Sequence, residues 1–133
     1  MQQITYRTDV IPTAAQIIDL YERSGLPRPI QYPERMSTMY AHSNLVISAW
    51  HDMELVGVAR SITDWVWSCY LADLAVHPAY KKSGIGRKLL HMTKEKVGEQ
   101  CMVLLLSVPT AMEYYPKVGM QKVENGFIIH REQ

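Results

Sequence analysis

The chain predicts an α+β fold in which a mixed central sheet is flanked by helices, and three observations predict it. Helical periodicity occupies the first third, antiparallel strand signals follow, and the second half alternates strand, helix, strand, helix and strand. The chain has 133 residues, 47% of them hydrophobic. That is enough for one core and leaves no room for a second domain of ordinary size, so residues 1–133 are read as a single domain.

Taken in order, a short apolar segment lies around Ile4 to Tyr6. Thr13 precedes Ala14, Ile17, Ile18 and Tyr21, which share one helical face, and Gln16 stands where a capping box needs it. Gly25 and Pro27 stop that helix. A second helix is expected from Pro33 to about His42, because proline is accepted in a first turn and Met36, Met39 and Tyr40 share a face. Leu45 to Trp50 and Leu55 to Ile62 read as a hairpin around the polar turn His51 to Glu54, and Trp65 to Val76 as a longer third segment after the loop at Thr63 and Asp64. Beyond a glycine-bearing loop, Ile85, Leu89, Thr93 and Val97 mark the inward face of an amphipathic helix. The uninterrupted apolar run Met102 to Leu106 reads as a buried parallel strand. Thr110 with Glu113 marks a capping box for a short helix ending by Gly119, and Gln121 to Arg131 reads as two short strands around Asn125 and Gly126.

Composition narrows the function. A net charge of +1 gives no field that argues for nucleic acid or a membrane surface. No stretch reaches the ~18 apolar residues of a membrane span, and Met1 to Thr8 lacks the features of a signal peptide, so a cytoplasmic protein is expected. Cys69 and Cys101 are too few for a disulfide scaffold or a metal site and are read as small buried thiols.

The segment from Val76 to Arg87 joins a strand to a helix and carries Gly84 and Gly86 with three cations, Lys81, Lys82 and Arg87. Glycine lets successive backbone N–H groups turn toward one point, and a helix start presents unpaired donors at the positive end of its dipole, an arrangement suited to phosphate. Two glycines here also serve tight packing of a loop on a sheet, and the loop alone leaves both readings open. A Rossmann fingerprint would need a third glycine where Leu89 stands, and a P-loop would need a Gly-Lys-Ser/Thr ending. The basic residues form one local patch, as a solvated helix face does, which is little for nucleic-acid binding.

The run Asp73, Leu74, Ala75, Val76, His77, Pro78, continued by Lys81 to Arg87 and by Leu89 and Leu90, resembles the coenzyme A loop of the GNAT superfamily of N-acetyltransferases. Ala111, Tyr114, Tyr115, Lys117, Gly119 and Met120 resemble the family's other recurrent segment, in which a tyrosine near the start of a short helix faces the coenzyme A sulfur. Gly57, Arg60 and Asp64 look like the third strand and following loop of some bacterial members. The specific likeness covers Gly57 to Met120. Departures are Lys81 in place of Gln or Arg, Ser107 to Pro109 where an asparagine is frequent, Met120 in place of an aromatic, and Pro116 within the short helix.

The resemblance implies acetyl-coenzyme A as cosubstrate, no metal, and transfer of the acetyl group to a primary amine of a small molecule by direct attack in a ternary complex. It implies splayed fourth and fifth strands, with Leu74, Ala75 and Val76 offering backbone groups to the pantetheine and acetyl carbonyl. Lys81 and the backbone of Lys82, Ser83, Gly84, Ile85, Gly86 and Arg87 would hold the pyrophosphate. Tyr115 is the expected general acid, since a phenol with a pKa of about 10 can protonate a departing alkyl thiolate, and Tyr114 is assigned to the core. Asp73 is the expected base, with Asp64 as a second candidate, while His77, which precedes Pro78, is expected to point into a turn. The first two helices and the loop with Trp65, Trp67 and Tyr70 would form the acceptor pocket, although those tryptophans equally suit the core or a dimer contact. A homodimer through the last strands is expected. Two rival classes remain open, a non-catalytic coenzyme A-binding sensor or subunit, and a nucleotide- or RNA-binding domain using the basic loop.

Overall fold

Local chemistry builds the first helix as its sequence requires. The Thr13 hydroxyl accepts the Gln16 N–H at 3.2 Å, and the Thr13 N–H donates to Gln16 Oε1 at 2.9 Å. Gly25 then ends the helix in the left-handed region, with φ +77°, where glycine avoids the Cβ clash of other residues. The computed structural model describes residues 3–133. Its helices are α1 (Ala14–Ser24), α2 (Pro33–Ala41), α3 (Ile85–Val97) and α4 (Tyr114–Lys117). Its strands β1 (Thr5–Arg7), β2 (Leu45–His51), β3 (Glu54–Thr63), β4 (Ser68–Val76) and β5 (Met102–Leu104) form one sheet in that order. Neighbours are antiparallel except β4 and β5, which are parallel.

The core has two parts. Ile85, Leu89 and Val97 of α3 pack with Ile47, Val56 and Leu71, while Ile17 and Leu20 of α1 and Met36 of α2 pack with Val46, Val58 and Ala75. Gly57 permits the close approach of α3, since a Cβ there would lie 2.7 Å from Ile85 Cγ2. Cys69 and Cys101 are buried thiols. Among the described residues no helix is long and apolar enough to cross a membrane.

An irregularity in β4 shapes everything that follows. Arg60 pairs with Asp73 and Ser61 with Leu71, so Ala72 is an extra residue that bulges and bends the strand. β5 pairs with β4 only over Ser68, Cys69 and Tyr70. Past Tyr70 the two strands part, which is the expected splay, and the β5-facing edge of β4 from Leu71 to Val76 opens onto a gap.

Four expectations are corrected. β4 starts at Ser68 because Asp64 Oδ1 accepts the N–H groups of Val66, Trp67 and Ser68 at 3.0, 2.8 and 3.0 Å, folding Trp65 to Trp67 into a turn. Met102 to Leu106 is an exposed edge, with Met102 53% and Leu106 62% exposed. No capping box forms at Thr110 and Glu113; Pro109 opens a 3-10 turn and α4 is a single turn without a side-chain cap. The tail Gln121 to Arg131 carries no strand, and Phe127 and Ile129 are fully exposed.

Candidate active site

The gap between β4 and β5 is a cleft of about 410 Å³. Leu74, Ala75 and Val76 line it from β4, Leu105, Leu106 and Val108 from the chain after β5, and Ser24, Leu26 and Arg28 from the α1–α2 connection. Lys81, Gly86, Tyr114 and Tyr115 complete the wall. The structure therefore brings the strand, loop and tyrosine segments into one space.

At the loop end, His77 Nδ1 accepts the Ala79 N–H at 3.1 Å and caps a 3-10 turn over Pro78–Ser83. The buried Tyr80 pins this turn, its hydroxyl 2.8 Å from His51 Nδ1. His77 thus serves a turn and not the cleft. Gly84 is left-handed, φ +75°, and caps α3 without a side-chain hydrogen bond. The first helical bond is from Lys88 N–H to the Gly84 carbonyl at 3.0 Å, so the amides of Ile85, Gly86 and Arg87 have no intrahelical acceptor. The Ile85 side chain is spent in the core, while Lys81, Lys82, Ser83 and Arg87 are exposed around those amides. A Cβ on Gly86 would lie 2.8 Å from the Tyr114 hydroxyl. Glycine alone leaves this cradle open, and the free amides and cations around it fit a diphosphate.

The two tyrosines divide differently from expectation. Tyr114, assigned to the core, is 37% exposed with its hydroxyl against Gly86. Tyr115 is half-buried against the α3 side of the core and still lines the cleft. Their rings meet edge to face at 5.2 Å. Burial raises both pKa values; the neighbouring Tyr114 adds to the rise at Tyr115, and the Arg87 charge opposes it at Tyr114. Both phenols hold their protons at neutral pH.

Asp73 is not the free carboxylate that the base role needs. It is 1% exposed. Its Oδ2 accepts the Tyr21 hydroxyl at 2.6 Å and Arg60 Nε at 2.7 Å, and its Oδ1 accepts Arg28 Nε at 2.6 Å. The Tyr40 hydroxyl lies 2.7 Å from that of Tyr21 and extends the network. Burial alone would raise the Asp73 pKa, but the Arg60 bond and charge, the Tyr21 bond and the Arg28 charge outweigh it and hold the pKa below the usual carboxylate value. Asp64 is committed to its turn, where backbone bonds from Ser68, Val66 and Trp67 lower its pKa. Trp67 is 75% exposed, and Trp65 lines a separate hollow with Asp9 and Asn44, so the expected aromatic acceptor wall is absent from the cleft. The α1–α2 connection lines the cleft with Ser24, Leu26 and Arg28 instead.

Asp73→Asn should cost about 3–5 kcal/mol, because two guanidiniums would lose their buried counter-charge. Thermal denaturation at pH 7 should show a Tm lower by on the order of 10 °C. The lowered pKa fixes the sign of the pH dependence. The Asp73 contribution is present above the unfolded carboxylate value of about 3.9 and is lost as pH falls through the lower folded value. The acid slope of stability should therefore be shallower in the variant than in the parent.

Residues 18–129 match the acetyltransferase (GNAT) domain model. The chain is 25% identical over 128 residues to the uncharacterized N-acetyltransferase ycf52 of Porphyra purpurea, an alignment covering 89% of this chain and 74% of the other. Its fold is shared with the GNAT-family acetyltransferase SP0256 of Streptococcus pneumoniae TIGR4, with a TM-score of 0.78 and 23% identity over 98% of this chain and 100% of the other. SA2161 of meticillin-resistant Staphylococcus aureus, a probable acetyltransferase, gives a TM-score of 0.82 and 20% identity over 97% of this chain and 100% of the other. With the splayed sheet, the uncapped α3 start and the matched domain in agreement, the chain belongs to the GNAT family of acetyltransferases.

Proposed function

We propose that the protein transfers the acetyl group of acetyl-coenzyme A to a primary amine of a small molecule, by direct attack within a ternary complex. The observation that carries this is convergence: Gly86 at the start of α3, among amides without intrahelical acceptors, the open edge of β4 at Leu74 to Val76, and a protonated Tyr115 all border one cleft. Bound coenzyme A would supply an acyl group activated as a thioester. The α3 amides with Lys81, Lys82 and Arg87 hold the pyrophosphate, and the Tyr114 hydroxyl, beside Gly86, belongs to this end. Backbone groups of Leu74 to Val76 left free by the splay bind the pantetheine and polarise the acetyl carbonyl. One such N–H aimed at developing negative charge is worth about 3 kcal/mol.

The amine nitrogen forms the new C–N bond as the C–S bond breaks with its electron pair on sulfur. Tyr115 gives that sulfur its phenolic proton. The surplus proton on nitrogen leaves through water, and the phenolate recovers a proton from solvent. No carboxylate lines the cleft among the described residues. Electrostatics fills the missing base role, because Arg28 and Arg60 oppose a single carboxylate at Asp73, and surplus positive charge favours the neutral, nucleophilic amine.

Thermal shift with acetyl-coenzyme A, followed by free-thiol release over an amine panel, tests this. Stabilisation together with turnover is expected. Stabilisation without turnover on any amine would leave a coenzyme A-binding sensor or subunit.

A further inference from the structure

Resting on that function, we propose that the acceptor amine also carries an oxyanion, a carboxylate or a phosphate, and that Arg28 binds it. Arg28 donates to the Ala72 carbonyl at 2.8 Å, whereas Gly86 stands by Val76, whose Cγ2 would be 3.6 Å from an added Cβ. Four residues of β4, about 13 Å of strand, thus separate Arg28 from the phosphate cradle. That places it at the acceptor end. Three of its five N–H donors are used, on Asp73, on the Pro27 carbonyl at 2.6 Å and on Ala72. These bonds fix the guanidinium plane, and each terminal nitrogen keeps one N–H. The side chain is 23% exposed and lines the cleft. With no acidic neighbour on the cleft wall, this end attracts an anion and repels a second cation, and a rigid fork is the geometry that an oxyanion selects.

The test compares β-alanine, O-phosphoethanolamine, 3-aminopropanol and 1,3-diaminopropane at saturating acetyl-coenzyme A, by free-thiol release. One of the two anionic amines should exceed the neutral and dicationic ones at least tenfold in kcat/KM, and which one it is distinguishes carboxylate from phosphate. Arg28→Gln should erase that preference while acetyl-coenzyme A still stabilises the protein, and Arg28→Lys, which keeps the charge facing Asp73, should retain part of it. Independently of turnover, N-acetyl-β-alanine or N-acetyl-phosphoethanolamine should bind the coenzyme A complex of the parent and not of Arg28→Gln. A preference for the diamine, a preference unchanged in Arg28→Gln, or no binding of either anionic product would overturn the proposal. Failure of acetyl-coenzyme A to bind the parent would instead sink the function itself.

Discussion

Gly86→Glu should lose acetyl-coenzyme A binding altogether in a thermal-shift assay, at ligand concentrations that saturate the parent. Two effects act together. Its Cβ would press on the Tyr114 hydroxyl at 2.8 Å, and its carboxylate would stand where the α3 amides await phosphate. Mutual repulsion of like charges at that distance, with loss of the cradle, should weaken binding at least 100-fold, about 2.7 kcal/mol. The fold should persist, because Tyr114 is part-exposed and can yield, and because replacing a helical glycine gains up to about 1 kcal/mol of helix propensity. An unchanged far-UV circular dichroism spectrum with no ligand shift is the expected pair of results. Parent-like affinity in Gly86→Glu would remove the phosphate site from this loop.

What could be read from the sequence was local. The Thr13 and Gln16 cap, the hairpin at Asp52 and Met53, and the four inward residues of α3 each follow from contacts a few residues apart, and all stand in the structure. The loop glycines and Tyr115 were legible as a motif, and the cleft gathers Gly86 and Tyr115. Asp73 was misread because its partners are remote. Arg28 lies 45 and Tyr21 52 positions away, and no periodicity or spacing brings such pairs together. Arg28 itself sits in a connection between Pro27 and Pro29 with no signal around it. The bulge at Ala72, which opens the cleft, is a property of pairing between strands. The tail and Met102 to Leu106 show the same limit from the other side: alternation and apolar runs describe what a strand wants to bury, while burial depends on what packs against it. The turn at Trp65 was within reach, since an aspartate opening a short loop commonly collects the next amides on its carboxylate.

Tyr115→Phe should lower kcat by about 100- to 10,000-fold, the range expected when a positioned general acid is removed. The substitution deletes one oxygen and leaves the edge-to-face packing on Tyr114 intact, so acetyl-coenzyme A affinity and Tm should stay near those of the parent. The loss should therefore appear in kcat and not as weaker cofactor binding. Burial and the neighbouring Tyr114 raise the Tyr115 pKa. The parent should accordingly hold its activity past the ordinary phenol value of about 10 before the acid deprotonates, and the residual rate of the variant should lack that alkaline fall. Tyr114→Phe provides the contrast. Its hydroxyl faces Gly86, so its loss should weaken acetyl-coenzyme A binding and spare kcat. The opposite pattern would move the proton to Tyr114. If both variants turn over like the parent, sulfur departs as a thiolate stabilised by the positive cleft, and the α3 amides and Arg28 carry the catalytic contribution of the protein without an acid.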